Sequence, residues 1–381
     1  MQILSALALS RAPVLAFVAV GTCWGCIAAM APVLKARIGV DDATFGLLLL
    51  GTAIGLSTTL FVAPRWDRRM AAWAMPTATM LLAVAALGPG WVATPLGFFL
   101  ALTLLGACSG LTDVVMNARV SEIEARSGRS LMNANHAMFS VAYATSAVMT
   151  GALREAGWAP EEIFVALAVV LLGLAPFQVM DVSDRPETGE TADTRLPVLL
   201  VGVCGGVVLV AFMAEATVEA WSALHIERTL GGGAAEGAFG PAMLGLTMAV
   251  GRFFGQAVAA RFAEGKVIRA AATLAMVGVL IAAAAPVPAI AYLGFGLMGL
   301  GISVIGPMGL ALAGRLAPPA LRTAVIARVA IIGFLGFFVA PAAMGLGAEA
   351  FGLRWAFAGV AVLLAVAWPL TLILMQRDWG R

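Results

Sequence analysis

The chain has 381 residues, of which 61% are hydrophobic and 12% charged, and its mean hydropathy is +0.98. Soluble domains carry about 25% charge, so a soluble globular protein is excluded, and a net charge of +2 offers no electrostatic footprint for nucleic acid. The apolar runs are about twenty residues long, enough for a helix to cross ~30 Å of hydrocarbon; a β-barrel would show alternating segments of about ten.

Taken in chain order, twelve apolar spans are expected. They cover 12–34, 44–64, 70–89, 95–117, 131–153 and 161–180, then 196–220, 239–261, 267–286, 289–314, 323–347 and 352–375. The first begins like a signal peptide, with Arg11 before an apolar run, but it is longer than a signal's apolar core and reads as a retained helix. The cysteines Cys23, Cys26, Cys108 and Cys204 all fall inside apolar runs. No disulfide framework follows, and Cys23-x-x-Cys26 reads as small packing residues rather than a redox or metal pair.

Between spans six and seven lies Asp181–Arg195, DVSDRPETGETADTR, too polar for hydrocarbon and too poor in apolar surface to fold alone. It divides the chain into an amino-terminal half, 1–181, a linker, 182–195, and a carboxy-terminal half, 196–381. With the amino terminus placed in the cytoplasm, the alternating segments put 17 of the 23 Lys and Arg on the cytoplasmic side. Lys35, Arg37, Arg154, Arg228 and Arg354 fall on the other, and Arg252 lies inside a span. This bias puts both termini and the linker in the cytoplasm of a bacterial-type inner membrane.

The halves repeat. A shift of 196 residues aligns Ala53 with Ala249, Gly55 with Gly251, Ala63 with Ala259, Arg65 with Arg261 and Trp66 with Phe262. The expected fold is therefore all-α and polytopic, with twelve transmembrane helices in two pseudo-symmetric six-helix bundles.

Two parallel six-helix repeats are the plan of the major facilitator superfamily, which the chain resembles over its full length. The basic turn Pro64-Arg-Trp-Asp-Arg-Arg69 stands where that superfamily has its turn after helix 2, without its glycines. The chain looks most like the fucose-permease-like branch. The motifs that carry this are Asp113-x-x-x-Asn117, Asn133-x-Asn-His136-x-x-Phe-Ser140, Glu215-x-x-x-Glu219-Ala-Trp221, Gly251-Arg252-x-x-Gly255 and Gly301-x-x-x-x-Gly306-Pro307. Two features depart from common patterns. Span 4 has no central arginine, and span 5 lacks the Gly-x-x-x-Gly-Pro of many antiporters.

Charges at membrane depth cost at least ~2.5–3.5 kcal/mol and mark function by default. Glu215 and Glu219, four apart and so on one face of span 7, are candidates for carrying a proton, and His136 is a third. Glu219 could equally be a solvated residue at an early helix end. Arg252 is expected to bind an anionic substrate, to pair with Asp113 or Glu215, or to serve structure alone. Asp113, Asn117, Asn133 and His136 are expected to form one inner polar cluster, because spans 4 and 5 are consecutive. Trp24, Ser140, Tyr143, Ser303, Phe334 and Phe337 lie at the depth of a central cavity and are candidate substrate contacts, each with packing as the plainer alternative.

The resemblance implies a gate at the inner end. There Asp67 would contact the end of span 4 near Arg119 and the start of span 11, which Arg322 and Arg328 bracket. Asp113, Asn117 and Asn133 are further gate candidates.

The expected function is alternating-access transport of a small polar solute, sugar-like or a small organic metabolite, by proton-coupled symport. The alternatives are an exporter or exchanger of an organic anion that uses Arg252, and a non-transporting receptor on the same scaffold. No catalytic set, metal cluster or phosphate loop stands in the sequence, so neither enzymatic activity nor a cofactor is expected. The expected partners are a small-molecule substrate, protons and membrane lipid, around a monomer.

Overall fold

The computed structural model describes residues 2–181, 197–259, 261–318 and 321–376. The linker expected at 182–195 lies outside the described residues. In hydrocarbon every backbone N–H and C=O must be satisfied within its own segment, and the described residues are accordingly almost all helical.

A short helix, Gln2–Leu9, precedes twelve long ones. In the first half these are α1 (Arg11–Ile38), α2 (Asp42–Leu48 and Leu50–Met70), α3 (Ala74–Trp91), α4 (Pro95–Ser127), α5 (Met132–Glu155) and α6 (Pro160–Leu174). The second half has α7 (Val198–Leu224), which continues as a π-helical turn over His225–Thr229, then α8 (Ala234–Ala259) and α9 (Glu264–Ala284). It ends with α10 (Pro288–Leu316), α11 (Arg322–Phe351) and α12 (Leu353–Ala365 and Ala367–Gln376). Among the described residues, ten segments are long and apolar enough to cross a membrane. The other two crossings, α5 and α8, have 24 and 26 residues and carry the more polar motifs.

Local chemistry sets the helix ends. Gly39 and Gly128 adopt left-handed φ of 66° and 65° and stop α1 and α4. Asp41 caps α2 by accepting the Thr44 N–H at 2.6 Å, and Thr94 caps α4 ahead of Pro95.

Packing repeats every six helices. In the first half α1 lies on α5, α2 on α4, and α3 on α4 and α6. In the second, α7 lies on α11, α8 on α10, and α9 on α10 and α12. The aligned glycines do equivalent work. A Cβ on Gly55 would overlap the Thr103 carbonyl of α4, and one on Gly251 would overlap the Ser303 hydroxyl of α10. Each glycine lets two helices of its own half approach closely. The halves meet where α5 packs on α8, α1 on α7, and the first piece of α2 on α11.

Candidate functional site

Between the halves lies a cavity of about 270 Å³, lined from α1, α2, α4, α5, α7 and α11. Its wall is largely apolar, with Trp24, Phe139, Tyr143, Phe334 and Phe337 among its aromatic groups. Polar side chains enter it from Thr52, Ser109, Asp113, Tyr143, Glu215 and Glu219.

The end away from the start of α1 is closed. Phe45 of α2 stacks on Phe98 of α4 with centroids 5.9 Å apart and meets Trp221 of α7 edge-on at 5.7 Å. Phe45 and Phe98 also line the cavity, so these rings cap it. Beyond them, ion pairs join the halves. Arg228 binds both carboxylate oxygens of Asp42, at 2.7 and 2.5 Å, and Arg154 binds both of Glu227, at 2.7 and 2.9 Å. Lys35 adds a bond to Asp42 at 3.0 Å, and the Asp42 N–H donates to Glu349 of α11.

Glu215 and Glu219 face the cavity, as the spacing on α7 suggests. The helix continues past both, so Glu219 is not a solvated end residue. Arg252 reaches Glu215 at 3.3 Å and donates to the Ser140 hydroxyl at 2.5 Å, so one guanidinium ties α8 to α7 and α5. Arg252 therefore pairs with Glu215 rather than Asp113, and it does not line the main cavity. It borders a recess of about 10 Å³ shared with Ser140, Tyr143, Glu215 and Glu219, a space of the size that holds one water. Tyr143 is 2% exposed, and its hydroxyl has no hydrogen-bond partner among the described residues.

The remaining candidates divide. Trp24 lines the cavity while its indole N–H donates to Ser109 of α4 at 2.9 Å. Phe334 and Phe337 line it and cluster with Phe212, at 5.4 and 5.2 Å from that ring. Ser303 does not line the cavity: it is 2% exposed, donates to the Leu300 carbonyl at 2.7 Å, and packs where α8 crosses α10.

The expected inner cluster does not assemble. Asn117 donates to the carbonyl and carboxylate of Asp113, but His136 packs edge-on against Phe17 of α1 at 4.8 Å. Asn135 is the buried member of its motif, donating to Ser10 and to the Leu131 carbonyl, while Asn133 is only half-buried. The reason is α1, which packs against both α4 and α5 and keeps these consecutive helices largely apart. Trp24 bonds it to α4, and Ser146 of α5 donates to its Thr22 carbonyl. Asp113 consequently stands in the cavity wall rather than beside α5.

At the terminal end Arg119, 1% exposed, binds Asp67 at 2.5 Å and Glu122 at 3.0 Å. That is the expected contact with the end of α4. The further contact expected between Asp67 and the start of α11 falls partly outside the described residues. Arg322 donates to the Gly314 carbonyl of α10, and Arg328 is exposed on α11.

The closed-end residues Asp42, Glu227 and Glu349 are absent from the sequence-based candidates. Their signal was the short set of basic residues opposite the cytoplasmic bias. All five are engaged: Lys35 and Arg228 with Asp42, Arg37 with Glu161, Arg154 with Glu227, and Arg354 with the Ala283 and Ala285 carbonyls.

A model of the major facilitator superfamily matches residues 203–378. Over 362 residues the chain is 32% identical to an uncharacterized MFS-type transporter of Yersinia pestis, covering 92% of this chain and 91% of that one. Among solved structures, a bacterial homolog of the human lysosomal transporter Spinster, inward-facing and occupied, superposes with a TM-score of 0.77. It is 15% identical and covers 98% of this chain and 96% of its own. A D-xylose-proton symporter superposes with a TM-score of 0.72 at 15% identity, covering 98% of each chain. These two share the fold; the full-length relative adds the lineage, and the chain belongs to the major facilitator superfamily of membrane transporters.

Proposed function

We propose that the protein carries a small organic metabolite by alternating access in symport with a proton, with Glu215 as the principal proton-carrying group and Glu219 beside it. The observation that supports this most is the bond between Arg252 and Glu215 at the cavity wall. A proton on Glu215 would cancel its charge and weaken the hold on Arg252. That loosens the tie from α7 to α8 and, through Ser140, to α5. A proton taken up there changes how the halves meet, which is what coupling needs. The fold neighbour that is a D-xylose-proton symporter is in keeping with this, as a likeness of architecture.

The positive-inside bias places the α1 start, and with it both termini, in the cytoplasm of a bacterial inner membrane. The closed end then faces outward, and the conformation is inward-facing. The division at 182–195 supplies the two moving units, 1–181 and 196–381, of a monomer surrounded by lipid. The anion reading has less support, because Arg252 would first have to leave Glu215 and Ser140.

The test uses vesicles loaded with a pH-sensitive dye. A metabolite panel screened by thermal shift supplies the substrate. Its addition outside should acidify the lumen, and Glu215→Gln should abolish the acidification while the variant remains folded. Acidification undiminished in that variant removes Glu215 from the role. Substrate uptake with no pH change removes proton coupling.

A further inference from the structure

We propose that the solute bears a protonated amine on an apolar, preferably aromatic, body, and that its ammonium is held by Glu219 and the Tyr143 hydroxyl, with Asp113 adding negative charge to the same cavity. This narrows the substrate class and rests on the transport reading above, though not on which group carries the proton.

The argument begins with charge. Three carboxylates line the cavity, and no Lys, Arg or His does among the described residues. The nearest cation, Arg252, is spent on Glu215 and Ser140 behind the wall. Asp113 keeps only the neutral amide of Asn117, and Glu219 has no described hydrogen-bond partner. Such groups in an apolar wall call for a cationic ligand, because an unpaired charge there is costly and a matched cation relieves it. A carboxylate ligand would meet the same two groups with like charge.

The rest of the wall selects the body. Trp24, Phe139, Phe334 and Phe337 line the cavity, and aromatic rings attract an ammonium as well as stacking on an aromatic body. A polyol needs many hydrogen-bonding groups, and this wall offers few. Ser109 already accepts from Trp24.

The Tyr143 hydroxyl is an independent sign of a ligand. It is buried and unpartnered, and its side chain lines both the cavity and the recess beside Glu219. Buried hydroxyls rarely stay unbonded, and an ammonium N–H can donate to this one. The two acids stand on different halves, Asp113 on α4 and Glu219 on α7.

The test measures binding of matched probes to the purified full-length protein by calorimetry. The probes are 2-phenylethylamine and its N,N-dimethyl and N,N,N-trimethyl forms, the neutral 2-phenylethanol, and 3-phenylpropanoate. At least one ammonium probe should bind ten-fold or more tightly than phenylethanol, with the carboxylate weaker than either. Glu219→Gln should erase the preference for the ammonium while retaining phenylethanol affinity, and Asp113→Asn should reduce the preference without erasing it. That retained affinity shows a folded cavity, and Glu219→Asp should restore part of the preference. If no ammonium probe binds more tightly than its neutral counterpart, or if Glu219→Gln keeps the preference, the proposal is overturned. Glu215→Gln separates the two readings: it should lose proton movement and keep the ammonium preference.

Discussion

Arg228 holds Asp42 across the two halves with a two-pronged pair, Nη1 to Oδ1 at 2.7 Å and Nη2 to Oδ2 at 2.5 Å. The carboxylate is 6% exposed and the guanidinium 44%. The pair is thus anchored in protein on one side and wet on the other, and a state change can break it without burying a bare arginine.

Asp42→Asn keeps the shape and removes the charge. Charge-assisted bonds contribute about 1.5–3 kcal/mol, and the exposure of Arg228 favours the lower figure. The open-to-closed ratio at this end should rise about ten-fold. The four native cysteines are buried, so spin labels at Ala36→Cys and Phe351→Cys, one in each half, report the change. The distance distribution should gain a longer component. An unchanged distribution would show that the pair does not hold this end closed.

The same end depends on a glycine crossing. A Cβ on Gly345 of α11 would come 2.5 Å from the Asp42 carbonyl, and one on Gly46 of α2 would come 2.5 Å from the Pro341 carbonyl. The obstacles are backbone, which cannot rotate away. Gly345→Ala should therefore populate the longer distance even with Asp42 intact, and Gly46→Ala should do the same. A closed distribution in both would place the constraint elsewhere.

The fold was legible because the physics that writes it is local. Apolar runs of membrane length, the basic bias and the 196-residue shift all survive in one dimension, and each expected span falls on one of α1 to α12, although α4 runs to Ser127, well past its expected end at 117. Glu215 and Glu219 were legible because four residues on a helix fix a shared face. The grouping of Asp113 with His136 was not, because it assumed that consecutive helices touch, and α1 lies against both. Ser303 was placed by depth alone. Depth fixes distance along the membrane normal and leaves rotation about the helix open, and rotation turns Ser303 towards Gly251. The ion pairs at the closed end are illegible for a further reason: residues outside the spans report topology in the sequence and not contact.

The bridge by Arg252 predicts unequal outcomes for similar changes. Arg252→Lys keeps the charge and loses the fork that reaches Ser140 and Glu215 together, and lysine is a poor substitute at such sites. Transport should fall about ten-fold or more, the equivalent of one lost bond of about 1.4 kcal/mol at the coupling step, with the folded fraction unchanged. Ser140→Ala should give a smaller loss, because Glu215 still holds the guanidinium. Uptake rates in vesicles at matched protein content decide this. Equal rates for wild type and Arg252→Lys would show that only the charge matters.

Asp67 and Arg119 separate a gate from a brace. Arg119 is 1% exposed and Asp67 is 7%, and the pair joins the end of α2 to the end of α4 within one half. Removing one partner from a buried pair costs about 3–5 kcal/mol, because the other charge is left in protein. Glu122 also binds Arg119, which favours the lower figure for Asp67→Ala. A brace requires that Asp67→Ala lower the melting temperature while transport per folded molecule stays near wild type. It also requires that Asp67→Leu combined with Arg119→Met and Glu122→Gln recover much of the stability, since the three charges are then removed together. A gate requires the reverse, with stability kept and transport per folded molecule lost. Because the Asp67–Arg119 bond is buried and made within one half, the expected result is the brace, and loss of transport at unchanged melting temperature would overturn it.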